Sequence, residues 1–350
     1  MKKNFSRLLM SWHLHDNKRE MPWKGEKDPY RIWLSEVILQ QTRVEQGWHY
    51  YTRFIENYPT IRELAAAPDQ EVFKCWEGLG YYNRCRNLLS TARTIAFQQN
   101  GEFPVQYEDI LALKGVGPYT AAAIASFAYN QPYAVVDGNV FRVLARFFNI
   151  GTAIDSTAGK QEFSALANEV LDRKQPAFFN QAIMDFGATV CKPVAPLCAS
   201  CPLRSECAAY HNGTVNQLPV KEKTLNRKHR WFYYFLFEYE GKWLVQQRSA
   251  KDIWQGLFEF YLLETEAAMK WDQASVSQWL GEQMGIRKAT LVSVSPVSVQ
   301  QLTHQQIKGQ FIHVQLLSIP ASLKTQQWLR PAEVAGLAFP KFITQFLNGR

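Results

Sequence analysis

Four closely spaced cysteines constrain this chain more than any other feature of its sequence. They are Cys191, Cys198, Cys201 and Cys207, and their spacing is C-x6-C-x2-C-x5-C. Four soft thiolate ligands on one short loop favour an iron–sulfur cluster. A structural zinc ion stays open as an alternative, although zinc sites usually set two C-x2-C pairs well apart. A disulfide framework is disfavoured, because no secretory signal precedes the cysteines and the chain is long enough for an ordinary core.

The composition describes a globular chain with a basic character. Its 350 residues suggest about two domains, and its 47% hydrophobic content suits well-filled cores. The two remaining cysteines, Cys75 and Cys85, are expected to pack there as small apolar residues. A formal net charge of +8 favours an anionic partner, of which nucleic acid is the commonest. No uncharged apolar run of about 18 residues is present, so we expect a cytoplasmic protein without a membrane-spanning helix.

The pattern of apolar residues divides the chain into two predicted domains. Residues 1–210 carry apolar residues at helical spacing, for example over residues 30–51, with Gly and Pro between the segments. Residues 211–229 are polar and end in a basic run, which predicts an interdomain linker. Residues 230–350 hold aromatic and β-branched strands, one of them over residues 290–299, a hairpin turn at Glu240-Gly241 and a helix over Trp271–Met284. The fold class is therefore a mostly α domain followed by an α+β domain.

A tight Gly-x-Gly turn lies between two helical segments over residues 110–130. Gly115 and Gly117 permit positive φ and leave backbone N–H groups uncovered. The helix after the turn can hold a phosphate at its N-terminus. The turn therefore predicts a helix–hairpin–helix contact with the DNA backbone. Taken alone, it is also compatible with a simple αα-hairpin.

Two carboxylates are candidates for acid–base chemistry. Asp137 directly precedes a predicted helix, where it can cap the first turn and remain ionised through the helix-end amides. Glu36 lies in a segment that is apolar nearly all round, although a surface ion pair with Arg31 or Arg43 is the alternative. Burial would raise the pKa of Glu36, as a general acid near neutral pH requires. One protonated and one ionised carboxylate is a common arrangement for breaking glycosidic bonds.

These motifs, in this order, resemble those of the helix–hairpin–helix DNA glycosylases that carry an Fe–S cluster. The resemblance rests on the hairpin at residues 115–119, the Val-Asp-Gly-Asn run at 136–139 and the cysteine loop at 191–207. The segment at residues 35–42 is similar to that of the MutY-type adenine DNA glycosylases. Endonuclease III-like relatives have a Schiff-base lysine where Tyr119 stands, so the resemblance implies a monofunctional enzyme.

The resemblance implies a role for each matching residue. Glu36 would protonate the flipped adenine at N7, and Asp137 would stabilise the oxocarbenium-like sugar or bond to it briefly. Tyr119 would assist proton movement, and Asn139 would hold Asp137 in place. Gln41 and Tyr81 would wedge into the duplex and offset the cost of flipping. The four cysteines would hold a [4Fe-4S] cluster. Lys24 stands where the family often has arginine, which puts the bidentate contact of that arginine in doubt.

The C-terminal domain resembles a Nudix fold whose catalytic box is missing. The segment at residues 254–260 matches the sequence before a Nudix box, but no acidic magnesium-binding helix follows it. By resemblance the domain would read 8-oxoguanine in the opposite strand through Thr303 and His304. Thr303 keeps a hydroxyl donor, while Leu302 replaces an aromatic residue of the family pattern.

Together these features predict a base-excision-repair hydrolase that removes adenine mispaired with 8-oxoguanine or guanine in double-stranded DNA. We expect a monomer of bacterial type, associated with the nucleoid. The alternatives are a catalytically silent DNA-binding protein, a bifunctional glycosylase/lyase and a Nudix hydrolase. Retention of Glu36 and Asp137 argues against the first, Tyr119 against the second and the missing acidic helix against the third.

Overall fold

A computed structural model describes residues 2–223, 226–286 and 288–349 of the chain. It divides into two compact units. The first comprises Met1–Ala66 and Arg86–Lys223, and the second comprises Ala67–Cys85 and Thr224–Arg350. Residues 224 and 225 of the predicted linker lie outside the described residues, and the domain limits at 210 and 230 stay predictions.

Helices dominate the first part of the chain. The α-helices are α1 Lys2–His15, α2 Pro29–Leu39, α3 Val44–Asn57, α4 Ile61–Ala66, α5 Asp69–Trp76, α6 Asn83–Arg93, α7 Tyr107–Leu111, α8 Pro118–Tyr129, α9 Gly138–Phe148, α10 Thr157–Val170, α11 Pro176–Thr189 and α12 Ala208–His211. A π-helical turn, Thr94–Gln98, follows α6. The predicted helical segment from Tyr30 to Tyr51 is in fact two helices, because Gln41 adopts a left-handed φ of 56° between them.

Small residues let the central helices of the first unit pack closely. The segment Thr120–Ser126 of α8 is fully buried and consists largely of alanine. Eight of the eleven residues of α2 are buried as well. A helix that is hydrophobic nearly all round belongs inside a core. The core around α1, α9 and α11 is built on Phe5, Phe147 and Phe179, and the ring centroid of Phe5 lies 4.7 Å from that of Phe147.

An eight-stranded sheet forms the centre of the second unit. Its strands are β1 Lys228–Tyr239, β2 Lys242–Gln247, β3 Phe258–Glu259, β4 Tyr261–Thr265, β5 Ala289–Val294, β6 Ser298–Gln301, β7 Gln305–Leu316 and β8 Gln327–Leu329. The main path runs β3-β2-β1-β7-β5, with β4 paired to β1, β6 to β7 and β8 to β2. Strands β1 and β7 are parallel, with Lys228 opposite Gln305 and Glu238 opposite Gln315. The predicted strand over residues 290–299 is divided between β5 and β6.

Strand β1 is buried on both faces because helices cover the sheet from two sides. Residues 232–237 are all fully buried. Three helices belong to this part of the chain: α13 Gln273–Met284, α14 Pro331–Val334 and α15 Lys341–Asn348. On one face Phe235 stacks on Trp279 of α13, with ring centroids 4.3 Å apart. On the other face Phe311 stacks on Phe346 of α15 at 3.9 Å.

None of the helices in the described ranges is both long enough and apolar enough to cross a bilayer.

Candidate active site and cysteine loop

One large cavity in the first unit collects most of the residues that the sequence singled out. It has a volume of about 870 Å³, which suits a ligand of nucleoside size. Its lining includes the four predicted catalytic residues, the predicted wedge residue Gln41 and Lys24, namely Lys24, Glu36, Gln41, Tyr119, Asp137 and Asn139. The hairpin glycines Gly115 and Gly117 are not part of this lining.

Glu36 lies on α2 and is buried, with 7% of its surface exposed. Burial raises the pKa of Glu36 from 4.5 to about 7, opposed by a hydrogen bond with Tyr119 and reinforced by the charge of Asp137. Arg31, one of the two ion-pair partners considered as an alternative, pairs with Glu26 and Asp28. Glu36 can therefore carry a proton into the cavity near neutral pH.

Asp137 caps helix α9 and is held by three donors. Its Oδ1 accepts the N–H of Asn139 at 2.9 Å and the N–H of Val140 at 2.8 Å. Its Oδ2 accepts the Nδ2 of Asn139 at 2.7 Å. Burial raises the pKa of Asp137, while these hydrogen bonds and the charge of Arg142 oppose the rise. Asp137 can therefore cap α9 and line the cavity at the same time.

Tyr119 is the second residue of α8, is hydrogen-bonded to Glu36 and is influenced by the charge of Asp137. Burial raises the pKa of Tyr119 well above its usual value, and the charges of Glu36 and Asp137 raise it further. The side chain is therefore a neutral phenol, which can both donate and accept a hydrogen bond.

A chain of hydrogen bonds joins the Asp137 cap to the cysteine loop. Nη2 of Arg142 donates to Oδ1 of Asn139 at 2.8 Å, and its Nε donates to the carbonyl of Cys191 at 2.7 Å. The same Nη2 donates to the carbonyl of Gly187 at 2.7 Å. A Cβ at Gly187 would come within 2.7 Å of the Asn139 Cβ, so only glycine allows this approach. The sequence reading missed Arg142 and Gly187, because neither belongs to a recognisable motif.

The four cysteines of the loop line one small cavity of about 30 Å³. All four are free thiols, and Nη1 of Arg146 lies 3.5 Å from the Sγ of Cys191. Burial raises the pKa of the Cys201 thiol to about 12, and the other three cysteines add to that rise. Over residues 2–223, 226–286 and 288–349, no group of three or more His, Cys, Asp or Glu side chains is arranged to hold a metal ion. The chemistry of the donor set fits an Fe–S cluster, since the loop supplies four thiols and two cationic side chains, Arg142 and Arg146, lie next to it.

A buried ionic cluster on the same cavity was not predicted from the sequence. Asp185 is fully buried and accepts from Arg19 at 2.8 Å, Asn17 at 2.8 Å and Gln181 at 3.0 Å. Lys24 donates to the carbonyl of Arg19 at 2.7 Å and lies 3.5 Å from Asp185. Lys24 therefore contributes a point charge to this cluster. The cluster joins residues 17–24 to residues 181–185, two segments far apart in sequence, so no local pattern could reveal it.

The hairpin has the expected form, with one difference. Helices α7 and α8 flank the turn, and Gly117 is the N-cap of α8. Gly115 has a φ of 81°, and a Cβ there would come within 2.7 Å of Asn87. Gly117 has a φ of −103°, so it does not use the positive φ that glycine permits at this position. The space beside Gly117 is open, with no atom within 4 Å of a Cβ built there.

Tyr81, Thr303 and His304 belong to the second unit. The hydroxyl groups of Tyr81 and Thr303 are hydrogen-bonded to each other. Tyr81 has a φ of 50° and is 43% exposed. The carbonyl of His304 accepts the N–H of Lys228 at 3.0 Å. The structure thus brings the predicted wedge tyrosine and the predicted opposite-strand reader together.

Comparisons with known proteins define the class. The model of the HhH-GPD superfamily base excision DNA repair protein matches residues 34–169, and the NUDIX domain model matches residues 233–349. A solved structure of a thermostable thymine-DNA glycosylase is similar with a TM-score of 0.56 and 29% identity, covering 60% of this chain and 97% of that one. The chain combines a helix–hairpin–helix base-excision-repair domain with a Nudix-like domain, which confirms the predicted fold class.

Curated relatives narrow the class further. The adenine DNA glycosylase of Buchnera aphidicola subsp. Acyrthosiphon pisum (strain APS) is 34% identical over 270 residues, 76% of this chain and 77% of that protein. The adenine DNA glycosylase of Homo sapiens is 43% identical over 223 residues, 61% of this chain and 41% of that protein. The chain belongs to the adenine DNA glycosylase family, as its motifs predicted.

Proposed function

We propose that this chain removes adenine from mispairs with 8-oxoguanine, or with guanine, by hydrolysing the N-glycosidic bond. Adenine removal in base excision repair accords with its family, and the substrate is double-stranded DNA. The observation that carries the proposal is the pairing of Glu36 and Asp137 in one buried cavity. Two carboxyl groups in different environments supply a proton donor and a stabiliser of positive charge.

Glu36 is the general acid of this proposal. Breaking the bond between C1′ of the sugar and N9 of adenine leaves an electron pair on the base. Protonation at N7 makes the base a better leaving group. With a pKa of about 7, Glu36 is still protonated in a large fraction of molecules at neutral pH.

Asp137, Tyr119 and Asn139 act on the sugar side. In its ionised form, which the hydrogen bonds from Val140 and Asn139 favour against the effect of burial, the carboxylate of Asp137 stabilises the oxocarbenium-like sugar until water adds to C1′. Asn139 orients that carboxylate through its 2.7 Å hydrogen bond. Tyr119 is a neutral phenol next to Glu36 and can pass a proton during the reaction.

The DNA contacts are divided among several elements. The hairpin with Gly115 and Gly117 holds the phosphate backbone without reading its sequence. Gln41 and Tyr81 fill space in the duplex when adenine leaves the stack. Both have positive φ, a conformation that is uncommon for such residues and is often found at functional positions.

We assign recognition of the base opposite adenine to the second unit. Thr303 supplies a hydroxyl donor and acceptor at an accessible loop, and His304 follows it. A Nudix hydrolase is disfavoured because α13, the helix that follows β4, contains Glu282 as its single acidic residue.

Cys191, Cys198, Cys201 and Cys207 would hold a [4Fe-4S] cluster. When bound, such a group cross-links the loop and adds its binding free energy to the stability of the fold. We further propose that the protein works as a monomer on cytoplasmic, nucleoid-associated DNA.

The experiment that tests the proposal is single-turnover release of adenine from a duplex with one adenine opposite 8-oxoguanine. A second duplex carries guanine opposite the adenine, and strand breaks are measured with and without hot alkali. Breaks that appear only after alkali support a monofunctional glycosylase. Breaks without alkali would favour the bifunctional lyase, and none from protein that binds the duplex would favour a silent DNA-binding protein.

A further inference from the structure

The segment Ala67–Cys85 is bonded to the remainder of the second unit at the end of helix α5. Oε1 of Glu77 accepts the N–H of Phe339 at 2.9 Å. Nζ of Lys74 donates to the carbonyl of Leu337 at 2.9 Å and to Oε2 of Glu77 at 2.8 Å. The Glu77 side chain is 19% exposed, so solvent competes weakly for these charge-assisted hydrogen bonds. We call Lys74 and Glu77 the anchor pair.

The loop that receives the anchor pair is itself bonded to the sheet. The carbonyl of Ala338 accepts the N–H of Phe258 in β3 at 2.9 Å. Phe73 of α5 packs beside Gly256, where a Cβ would lie 3.4 Å from the Phe73 ring. The anchor pair therefore joins α5 to the body of the second unit.

The turn after Glu77 carries Tyr81 and is internally fixed. We call residues 78–82 the wedge turn. Nε1 of Trp76 donates to the carbonyl of Gly80 at 2.9 Å, and the N–H of Gly78 donates to the hydroxyl of Tyr82 at 3.2 Å. The Arg84 guanidinium lies 5.3 Å from the centre of the Tyr81 ring. A displacement of Glu77 would therefore move the whole wedge turn.

The far end of the wedge turn meets the loop that carries Thr303. That loop is closed by the N–H of Leu302, which donates to the carbonyl of Gln305 at 2.8 Å. Tyr81 bonds to Thr303 through their hydroxyl groups. Tyr81 and Thr303 are thus connected directly, through the hydrogen bond between their hydroxyl groups, and indirectly, through the anchor pair.

We propose that Lys74 and Glu77 are positioning residues that make excision depend on the identity of the base opposite adenine. They keep Tyr81 and Thr303 in one rigid element, so that Tyr81 enters the duplex only in the register in which Thr303 meets the opposite base. The inference rests on the proposed function, because it requires Thr303 to read that base.

The test compares Glu77→Ala with Glu77→Gln in the full chain. The matched control is Glu71→Ala, which removes an exposed carboxylate from the same helix. Single-turnover rates of adenine release are measured opposite 8-oxoguanine and opposite guanine. Base flipping is followed separately by the fluorescence of 2-aminopurine in place of adenine.

We expect Glu77→Ala to lower the ratio of the two rates by about tenfold, as the loss of a hydrogen bond to a charged acceptor implies. The rate opposite guanine should stay within about twofold of the parent, as for substitutions away from a site. Glu77→Gln keeps an oxygen for the Phe339 N–H and should restore most of the ratio. The 2-aminopurine signal should become less sensitive to the opposite base in Glu77→Ala.

Other outcomes overturn the inference. Equal loss of both rates would mean that Glu77 has a general structural role. Adding Thr303→Ala to Glu77→Ala should reduce the ratio no further, and additive losses would show two independent elements. If the parent releases adenine equally fast opposite 8-oxoguanine and opposite guanine, the proposed function and this inference are both overturned. If the parent prefers 8-oxoguanine and Glu77→Ala keeps the same preference, the inference alone is overturned. If Glu77→Ala fails to fold, Lys74→Met gives the same comparison while keeping the apolar stem.

Discussion

Replacing Glu36 by glutamine should slow excision strongly and, at alkaline pH, stabilise the protein. The glutamine side chain has nearly the same shape but cannot donate a proton as a carboxylic acid does. General acid catalysis contributes about 10²–10⁴-fold to a rate, so we expect single-turnover adenine release to fall by that factor. Binding of the duplex should remain, because Glu36 is buried at the cavity and carries no DNA phosphate contact in the proposal.

The stability gain follows from the raised pKa of Glu36. A rise from 4.5 to about 7 means that ionising Glu36 costs roughly 3 kcal/mol more in the folded protein than in the unfolded chain. Because the pKa of Glu36 is higher in the folded protein, the stability that its protonated form contributes is fully present below pH 4.5. That stability is lost as the pH rises through about 7. Glutamine removes the cost of ionisation. The free energy of unfolding of Glu36→Gln should therefore exceed that of the parent by roughly 3 kcal/mol at pH 8 and by under about 1 kcal/mol at pH 5.

Thermal unfolding at the two pH values measures this difference. We expect the Tm of Glu36→Gln to exceed that of the parent by about 6–12 °C at pH 8 and by much less at pH 5. Glu45→Gln is the control, since Glu45 is exposed at the start of α3 and should change Tm little at either pH. An equal Tm for Glu36→Gln and parent at pH 8 would refute the buried-acid reasoning. An unchanged excision rate would refute the general-acid role.

Three further predictions concern the other proposed residues. Asp137→Asn keeps a side chain that can cap α9, so it should fold normally and release adenine about 10²–10⁴-fold more slowly in the single-turnover assay; a rate near that of the parent would remove Asp137 from the chemistry. Thr303→Ala combined with His304→Ala should narrow the rate gap between 8-oxoguanine and guanine partners, and an unchanged gap would move damage recognition elsewhere. Cys198→Ser should lose the brown visible absorbance and most bound iron of the purified protein, because one thiolate ligand is missing; a colourless parent containing zinc would instead establish the zinc alternative.

Local sequence patterns predicted the elements that their own residues define. The apolar character of the segment around Glu36 predicted a buried helix, because a helix without a polar face cannot lie at the surface. Gly115 and Gly117 predicted the turn that precedes α8. The aromatic run of β1 predicted a strand. The boundaries were less well predicted, since the left-handed conformation of Gln41 ends the predicted helix before α3 begins.

The sequence by itself determined which chemical groups the chain possesses: two candidate carboxylates, a tyrosine in place of a Schiff-base lysine, and four thiols on one loop. Only the tertiary structure decided which groups meet. Glu36 and Asp137 reach one cavity because α2 and the start of α9 both contribute to its wall. Arg142 reaches both Asn139 and Cys191, and Glu77 reaches Phe339 across a long stretch of chain. These contacts depend on how helices and strands pack, and the free energy of that packing is shared among many distant residues, so no local pattern encodes it.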